Sequence, residues 1–216
     1  MVELNELKAV AEKGFSFLEK QRGLKEFELF VSSNQLNVLR IAFATNVPNN
    51  ALEEPKSMES FGLSVRALFD NGKIGFGKAD GELSIKGVGQ AFAKATRNAV
   101  LDNDFKSLPS KVKGKKTKPV FDKKIMNLDE KKAIESAYDC LDGALSSLEK
   151  KKVAGNLNIT GELDFLGEQM VVKNSNGIDA FDQNTIALAT LTTILEQKPD
   201  ISRKSIDSST SLKKID

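Results

Sequence analysis

Between Gly62 and Gly77, apolar and polar side chains alternate in two runs. Gly62-Leu63-Ser64-Val65-Arg66-Ala67-Leu68-Phe69 and Lys73-Ile74-Gly75-Phe76-Gly77 are parted by Asp70-Asn71-Gly72. A period of two marks a strand, and Asn-Gly between two such runs predicts a hairpin with positive φ at both central positions of a type I′ turn. A two-stranded ribbon is marginal in water and needs a layer to cover one face.

Helical spacing supplies such layers. Leu4, Leu7, Ala11, Phe15 and Leu18 recur three or four apart, so a helix is predicted over Val2 to Gln21, with Gly23 as its stop. Leu83 and Val88 flank Ser84 as a hydrophobic staple flanks an N-cap, and Ala91, Phe92, Ala95 and Ala99 continue the stripe from about Ile85 to Leu101. A third stripe, Ile134, Ala137, Tyr138, Leu141, Ala144, Leu145 and Leu148, follows Asn127-Leu128-Asp129-Glu130. Asn127 and Glu130 there have the spacing of a capping box.

The remaining alternation predicts strands. Glu26 to Asn46 reads as two, with a turn at Ser32-Ser33-Asn34, and Val47 to Ser57 as a Pro-punctuated loop. Val153 to Thr160, Leu163 to Asn174 and Ile178 to Gln197 read as three or more antiparallel strands, broken at Gly161 and at Ser175-Asn176-Gly177. The expected class is α+β: two helix-plus-antiparallel-sheet units joined by a lysine-rich linker. The first unit is helix, four strands, helix over residues 1–101. The linker is 102–124, the second unit 125–197, and 198–216 an extended or poorly ordered polar tail.

The chain has 216 residues, 40% of them hydrophobic, enough for one or two cores. A formal charge of +2 points to neither nucleic acid nor membrane, though Asp102 to Lys124 carries eight lysines against three aspartates. No aromatic residues interleave Lys111 to Lys118, so nucleic acid is not the expected partner. Cys140 has no second cysteine to pair with, and neither a signal peptide nor a membrane span is present, which together point to the cytoplasm.

The chain has no histidine, which excludes a Ser-His-Asp triad, a Cys-His pair and any histidine zinc site made from it alone. Gly72, Gly75, Gly77 and Gly81 do not match a dinucleotide or P-loop spacing and serve turns and close packing. The acid pairs Glu53-Glu54, Asp129-Glu130 and Asp179 with Asp182 fall on expected loops or helix starts. Arg66 stands alone within its strand and either faces solvent or holds an acid.

The run from Phe61 to Phe76 resembles the pattern G-x-x-V-R-V…D-G-R-x-G-F of the TldD/PmbA family, proteins long described as modulators of DNA gyrase. Asp104 to Pro109 is similar to that family's D-x-x-x-x-L-P exit from the first domain, Phe121-Asp122 to its Y-D start of the next segment, and Asn174-Ser175-Asn176-Gly177 to its N-S-x-G strand end. Asp207 to Leu212 resembles its D-x-x-R-S-L. The resemblance is collinear over about Val2 to Glu196 and rests on Gly62, Val65, Arg66, Asn71, Gly72, Gly75, Phe76, Asn174, Ser175 and Gly177, positions expected to be structural.

The resemblance implies a zinc metallopeptidase that acts on unstructured peptides or peptide precursors and is assembled as a homo- or heterodimer of TldD/PmbA-type subunits. The zinc motif, H-E-x-x-x-H, belongs to the carboxy-terminal portion of the TldD type and is absent from the PmbA type. No catalytic, cofactor-binding or metal-binding residue is therefore expected in this chain. Zinc is expected in the carboxy-terminal domain or the partner subunit, and this chain is expected to be a fragment, a split gene product or a non-catalytic subunit. From a different class, a stand-alone module could bind a protein or nucleic acid through the lysine-rich segment.

Overall fold

The computed structural model describes residues 1–48, 50–113, 120–150, 155–196 and 205–211. Its helices are α1 (Leu4–Leu18), α2 (Ile85–Arg97), α3 (Lys123–Met126) and α4 (Glu130–Lys150). Its strands are β1 (Leu24–Ala44), β2 (Lys56–Phe69), β3 (Lys73–Asp80), β4 (Val100–Leu101), β5 (Asn156–Asn174), β6 (Asp179–Glu196) and β7 (Ser205–Ser211). Hydrogen-bonded neighbours follow the order β4-β3-β2-β1-β5-β6-β7. The α+β class stands.

The chain forms two compact units, each built from three separated stretches. One comprises Met1–Gln35, Glu59–Pro119 and Glu168–Asn184, the other Leu36–Met58, Val120–Gly167 and Thr185–Asp216. The contiguous division drawn on the sequence has no counterpart in this partition, because β1, β5 and β6 are each long enough to serve both units.

In the first unit, α1 and α2 bury Leu7, Ala11, Leu18, Val88, Ala91 and Ala95 against Phe27, Leu29 and Val31 of β1 and Leu63, Val65 and Ala67 of β2. Ser84 caps α2 as expected, its Oγ accepting from the Gly87 N–H at 3.4 Å. The helix ends at Arg97 rather than Leu101, and Val100–Leu101 pair with Ile74 and Lys73 as β4.

Close backbone approach fixes where α2 lies. A Cβ on Gly75 would fall 1.9 Å from the Ala95 carbonyl oxygen, and one on Gly77 would fall 2.0 Å from that of Ala91. Both glycines face the helix, with Phe76, Lys78 and Asp80 on the opposite face. In the second unit, Ala133, Ala137 and Leu141 of α4 and Ile125 of α3 pack on Leu39, Ile41, Ile159, Leu163 and Phe165.

Several boundaries differ from the sequence reading. Ser32-Ser33-Asn34 is not a turn. Ser33 is buried and its Oγ accepts from the Val2 N–H at 3.0 Å, so β1 runs straight through and the first unit has one strand fewer before α2. Gly161 does not break β5, because its missing side chain admits the Thr190 carbonyl, which a Cβ would meet at 2.2 Å.

Gly23 has φ 74°, yet α1 stops at Leu18 and the glycine instead leads into β1. The cap of α4 is Asp129, whose Oδ1 accepts from Lys131 N–H at 3.2 Å, not Asn127. The hairpin loop has three residues rather than two: Gly72 N–H donates to the Phe69 carbonyl at 2.9 Å and Gly72 itself takes φ 78°.

The lysine-rich stretch is not simply a solvated connector. Residues 114–119 lie outside the described residues, but Leu108 is among the most buried side chains of the first unit and Lys123–Lys124 begin α3. Of the expected tail, 205–211 are extended and pair with β6. Among the described residues no helix is long and apolar enough to cross a membrane.

Candidate functional site

Among the described residues of the first unit, the helices α1 and α2 pack on one face of β1–β3 and leave the other to side chains of the strands. The alternation that buries Phe27, Leu29 and Val31 turns Glu26, Glu28, Phe30, Ser32 and Asn34 to the other side. Beside them on that side come Ser64 and Arg66 of β2, then Phe76, Lys78 and Asp80 of β3.

A groove of about 540 Å³ lies over this face, lined by Phe30, Ser32, Asn34, Phe61, Ser64, Phe76, Lys78 and Asp80 among others. A second hollow, of about 410 Å³, shares Phe76 and is lined by Arg66, Ile74, Gly75, Asn98, Val100 and Phe105.

Arg66 and Phe76 are cross-strand partners in the β2–β3 register. The Arg66 Nη2 lies 3.3 Å from the Glu28 Oε1, which answers the question the sequence left open: Arg66 holds an acid. Glu28 was missed. The signal was there, because a residue out of phase with Phe27 and Leu29 must share the face of Arg66. Lys78 pairs with Asp80 at 3.0 Å, so the cations of this face are matched by acids. Phe76 stays 53% exposed.

The outer edge of β3 is closed by α2 side chains. Lys94 Nζ donates to the Lys78 carbonyl at 2.8 Å, and Asn98 Nδ2 to the Phe76 carbonyl at 3.4 Å. Such capping blunts an edge that would otherwise offer a template for another strand.

Two of the short motifs meet. Asn174, at the end of β5, is buried and donates from Nδ2 to the Pro109 carbonyl at 2.8 Å, while its Oδ1 accepts from the N–H groups of Asn176 and Ile178. Asn176 Nδ2 donates to the Leu108 carbonyl and to Glu26, and Ser175 exchanges hydrogen bonds with the backbone of Phe27. Gly177 has φ 86°, which closes the turn into β6.

Val65 is fully buried, Gly62 meets the Ala79 carbonyl where a Cβ would be 2.7 Å away, and Asn71 Oδ1 accepts from Lys73 N–H. Gly62, Val65, Arg66, Asn71, Gly72, Gly75 and Phe76 thus share one hairpin, and Asn174, Ser175 and Gly177 form a second group at the β5 end.

The remaining titratable candidates do not converge on a reaction centre. Burial, and then Asp139, push the Cys140 thiol above its ordinary value. Asp179 pairs with Lys173, Asp129 caps α4, and Glu53 lies 4.0 Å from Arg40. In the second unit, burial and then Glu162 raise the Asp164 carboxyl, with Arg40 opposing. Among the described residues no group of three His, Cys, Asp or Glu side chains could hold a metal ion. With no histidine in the sequence, these residues do not fit a zinc site.

Residues 43–100 match the family model described as PmbA/TldA metallopeptidase domain 1. The fold is similar to that of TldE from Thermococcus kodakarensis, at 20% identity and a TM-score of 0.71, over 93% of this chain and 42% of that one. It is also similar to a candidate modulator of DNA gyrase from Bacteroides thetaiotaomicron, at 16% identity and a TM-score of 0.74, over 99% of this chain and 46% of that one. A further candidate modulator, from Thermotoga maritima, matches at 14% identity and a TM-score of 0.64, over 95% and 42%. The chain therefore spans less than half the length of these solved structures. No curated protein matches the sequence.

Proposed function

We propose that this chain, which carries the amino-terminal region of the TldD/PmbA family, is the scaffold and substrate-shaping region of a metallopeptidase subunit. In this reading it does not catalyse alone. It contributes contacts to a second TldD/PmbA-type subunit and a surface for unstructured peptides, in the cytoplasm. The observation that carries the reading is the family-model match over residues 43–100 within a fold shared along nearly the whole chain.

In this reading the zinc is held by the carboxy-terminal domain or by the partner subunit. Bound there, zinc would supply a Lewis acid and an activated water. The contribution of this chain is to bind and orient. Its open sheet face presents exposed Phe76 with paired charges around it, a surface that admits an extended chain without demanding a sequence.

The test is reconstitution. The purified chain is mixed with a zinc-bearing TldD-type subunit, and complex formation and cleavage of a flexible peptide are followed. Co-elution together with cleavage by the mixture, and none by this chain alone, is expected. Peptidase activity of the chain by itself, or no association with such a subunit, overturns the reading.

A further inference from the structure

The hollow of about 410 Å³ beside the β2–β3 hairpin sets apolar side chains against one cation. Its lining includes Ile74, Phe76, Val100 and Phe105, and a single charged side chain, Arg66. Phe76 is 53% exposed and Val100 63% exposed, large apolar groups that the fold leaves uncovered. Arg66 is 44% exposed, and its one ion pair among the described residues uses Nη2 on Glu28. A guanidinium carries five N–H donors in a planar fork, and the pair with Glu28 engages this one through Nη2.

The edge of β3 next to the hollow does not take an added strand, because Asn98 and Lys94 already occupy its carbonyls and β4 pairs with Lys73 and Ile74. An occupant must therefore meet the apolar side chains from the open side. Nucleic acid does not suit the place. A phosphate backbone needs several free cations, whereas Lys78 is paired with Asp80 and Glu28 lies beside the only cation of the hollow.

What matches one half-exposed guanidinium set against apolar side chains is one carboxylate joined directly to an apolar group. The last residue of a peptide has that arrangement. An internal Asp or Glu would instead draw main chain across the apolar surface in both directions, where the edge carbonyls of Phe76 and Lys78 are already taken. We propose that Arg66, Phe76 and Val100 form a docking site for the free C-terminal carboxylate of an extended peptide ending in an apolar residue. The guanidinium pairs with the carboxylate in bidentate fashion and the last side chain covers Phe76 and Val100. The inference rests on the peptide-handling role proposed above and adds to it which end of the peptide is held.

The experiment is fluorescence anisotropy of the full chain with three labelled hexapeptides. One ends in leucine with a free acid, a second is the same peptide amidated, and a third is amidated with an internal glutamate. The free acid is expected to bind about tenfold more tightly than either amidated peptide, the factor that one charge-assisted pair supplies. Arg66→Gln should remove that difference, and Arg66→Lys should restore part of it.

Because Arg66→Gln leaves Glu28 without its partner, the double variant Arg66→Gln with Glu28→Gln serves as the folding-safe form. Val100→Ser, at an exposed position away from the ion pair, should weaken the free acid alone among variants that leave the charges intact. Equal binding of acid and amide, equal binding of the internal-glutamate peptide, or no binding to the folded chain overturns the proposal. Any of these results alongside peptide cleavage by the reconstituted pair would leave the peptidase-subunit role standing, whereas failure of reconstitution with acid-selective binding would sink only that role.

Discussion

The Glu26 carboxylate accepts a hydrogen bond from the backbone N–H of Leu108 at 2.7 Å, across 82 positions of sequence. The same oxygen accepts from Asn176 Nδ2 at 3.1 Å, and Leu108 is 1% exposed. This clasp ties the segment that leaves the first unit to the strand that returns to it.

Leu108→Ala should destabilise the first unit by about 2–5 kcal/mol, the range for emptying a buried leucine site. Glu26→Ala removes the acceptor of two donors and should cost about 1–3 kcal/mol. The two losses should be less than additive in a double-mutant cycle measured by urea denaturation, because emptying the Leu108 site loosens the segment whose backbone N–H Glu26 holds. Strict additivity would show that the clasp is not a unit.

Two glycines should respond in opposite directions to the same added methyl. Gly75→Ala places a Cβ against the Ala95 carbonyl and cannot be accommodated without moving α2, an overpacking cost of about 3 kcal/mol or more. Gly143→Ala, in α4 with nothing within 4 Å of its Cβ, should stabilise by about 1 kcal/mol. Thermal denaturation of the two variants decides it, and a neutral Gly75→Ala would contradict the backbone contact.

Lys173 joins Glu12 of α1 and Asp179 of β6, and its ammonium lies 5.5 Å from the centre of the Phe15 ring. The hydrogen bond to Glu12, followed by the one to Asp179, raises its pKa above 10.5 against the opposing effect of burial. A raised folded-state pKa contributes stability that is fully present below pH 10.5 and is lost as pH climbs through the folded value. Lys173→Met should therefore be less stable than the parent at neutral pH, and the gap should narrow above pH 10.5 in a denaturation series.

Asp164 behaves in the opposite sense at neutral pH. Burial and the neighbouring Glu162 raise its pKa, so the charged carboxylate is a burden on the folded state above its folded pKa, and the burden vanishes below 3.8. Asp164→Asn should stabilise the second unit at pH 7, with the gain disappearing as pH falls toward 3.8. A gain that persists unchanged in acid would show that ionisation of Asp164 is not its source.

The sequence made local geometry legible and left long-range pairing hidden. The β2–β3 hairpin, the Ser84 cap and the three apolar stripes all follow from neighbours within a few residues. Two serines and an asparagine imitated a turn in β1 because the partner that buries Ser33, the Val2 amide, lies 31 positions away. Gly161 imitated a break because what it makes room for, Thr190, belongs to another strand. In the candidate site, Arg66 and Phe76 were marked, while Glu28, Lys94 and Asn98 were not. Glu28 could have been found from the phase of β1, but the edge caps depend on where α2 lands, which Gly75 and Gly77 decide through backbone contact.

The interleaving of the two units bears on how the chain is made. A ribosome delivers residues in order, but the first unit draws on Met1 and on Asn184 alike. Its core includes Val171, and its clasp needs Asn174 and Asn176. Until β5 is translated, α1, α2 and the β2–β3 hairpin form a partial assembly in which the β1 edge that β5 later pairs with is open to other nascent chains. A pause or a chaperone that shields residues 24–101 until residue 184 has emerged would have more effect on yield than any single substitution in the finished protein.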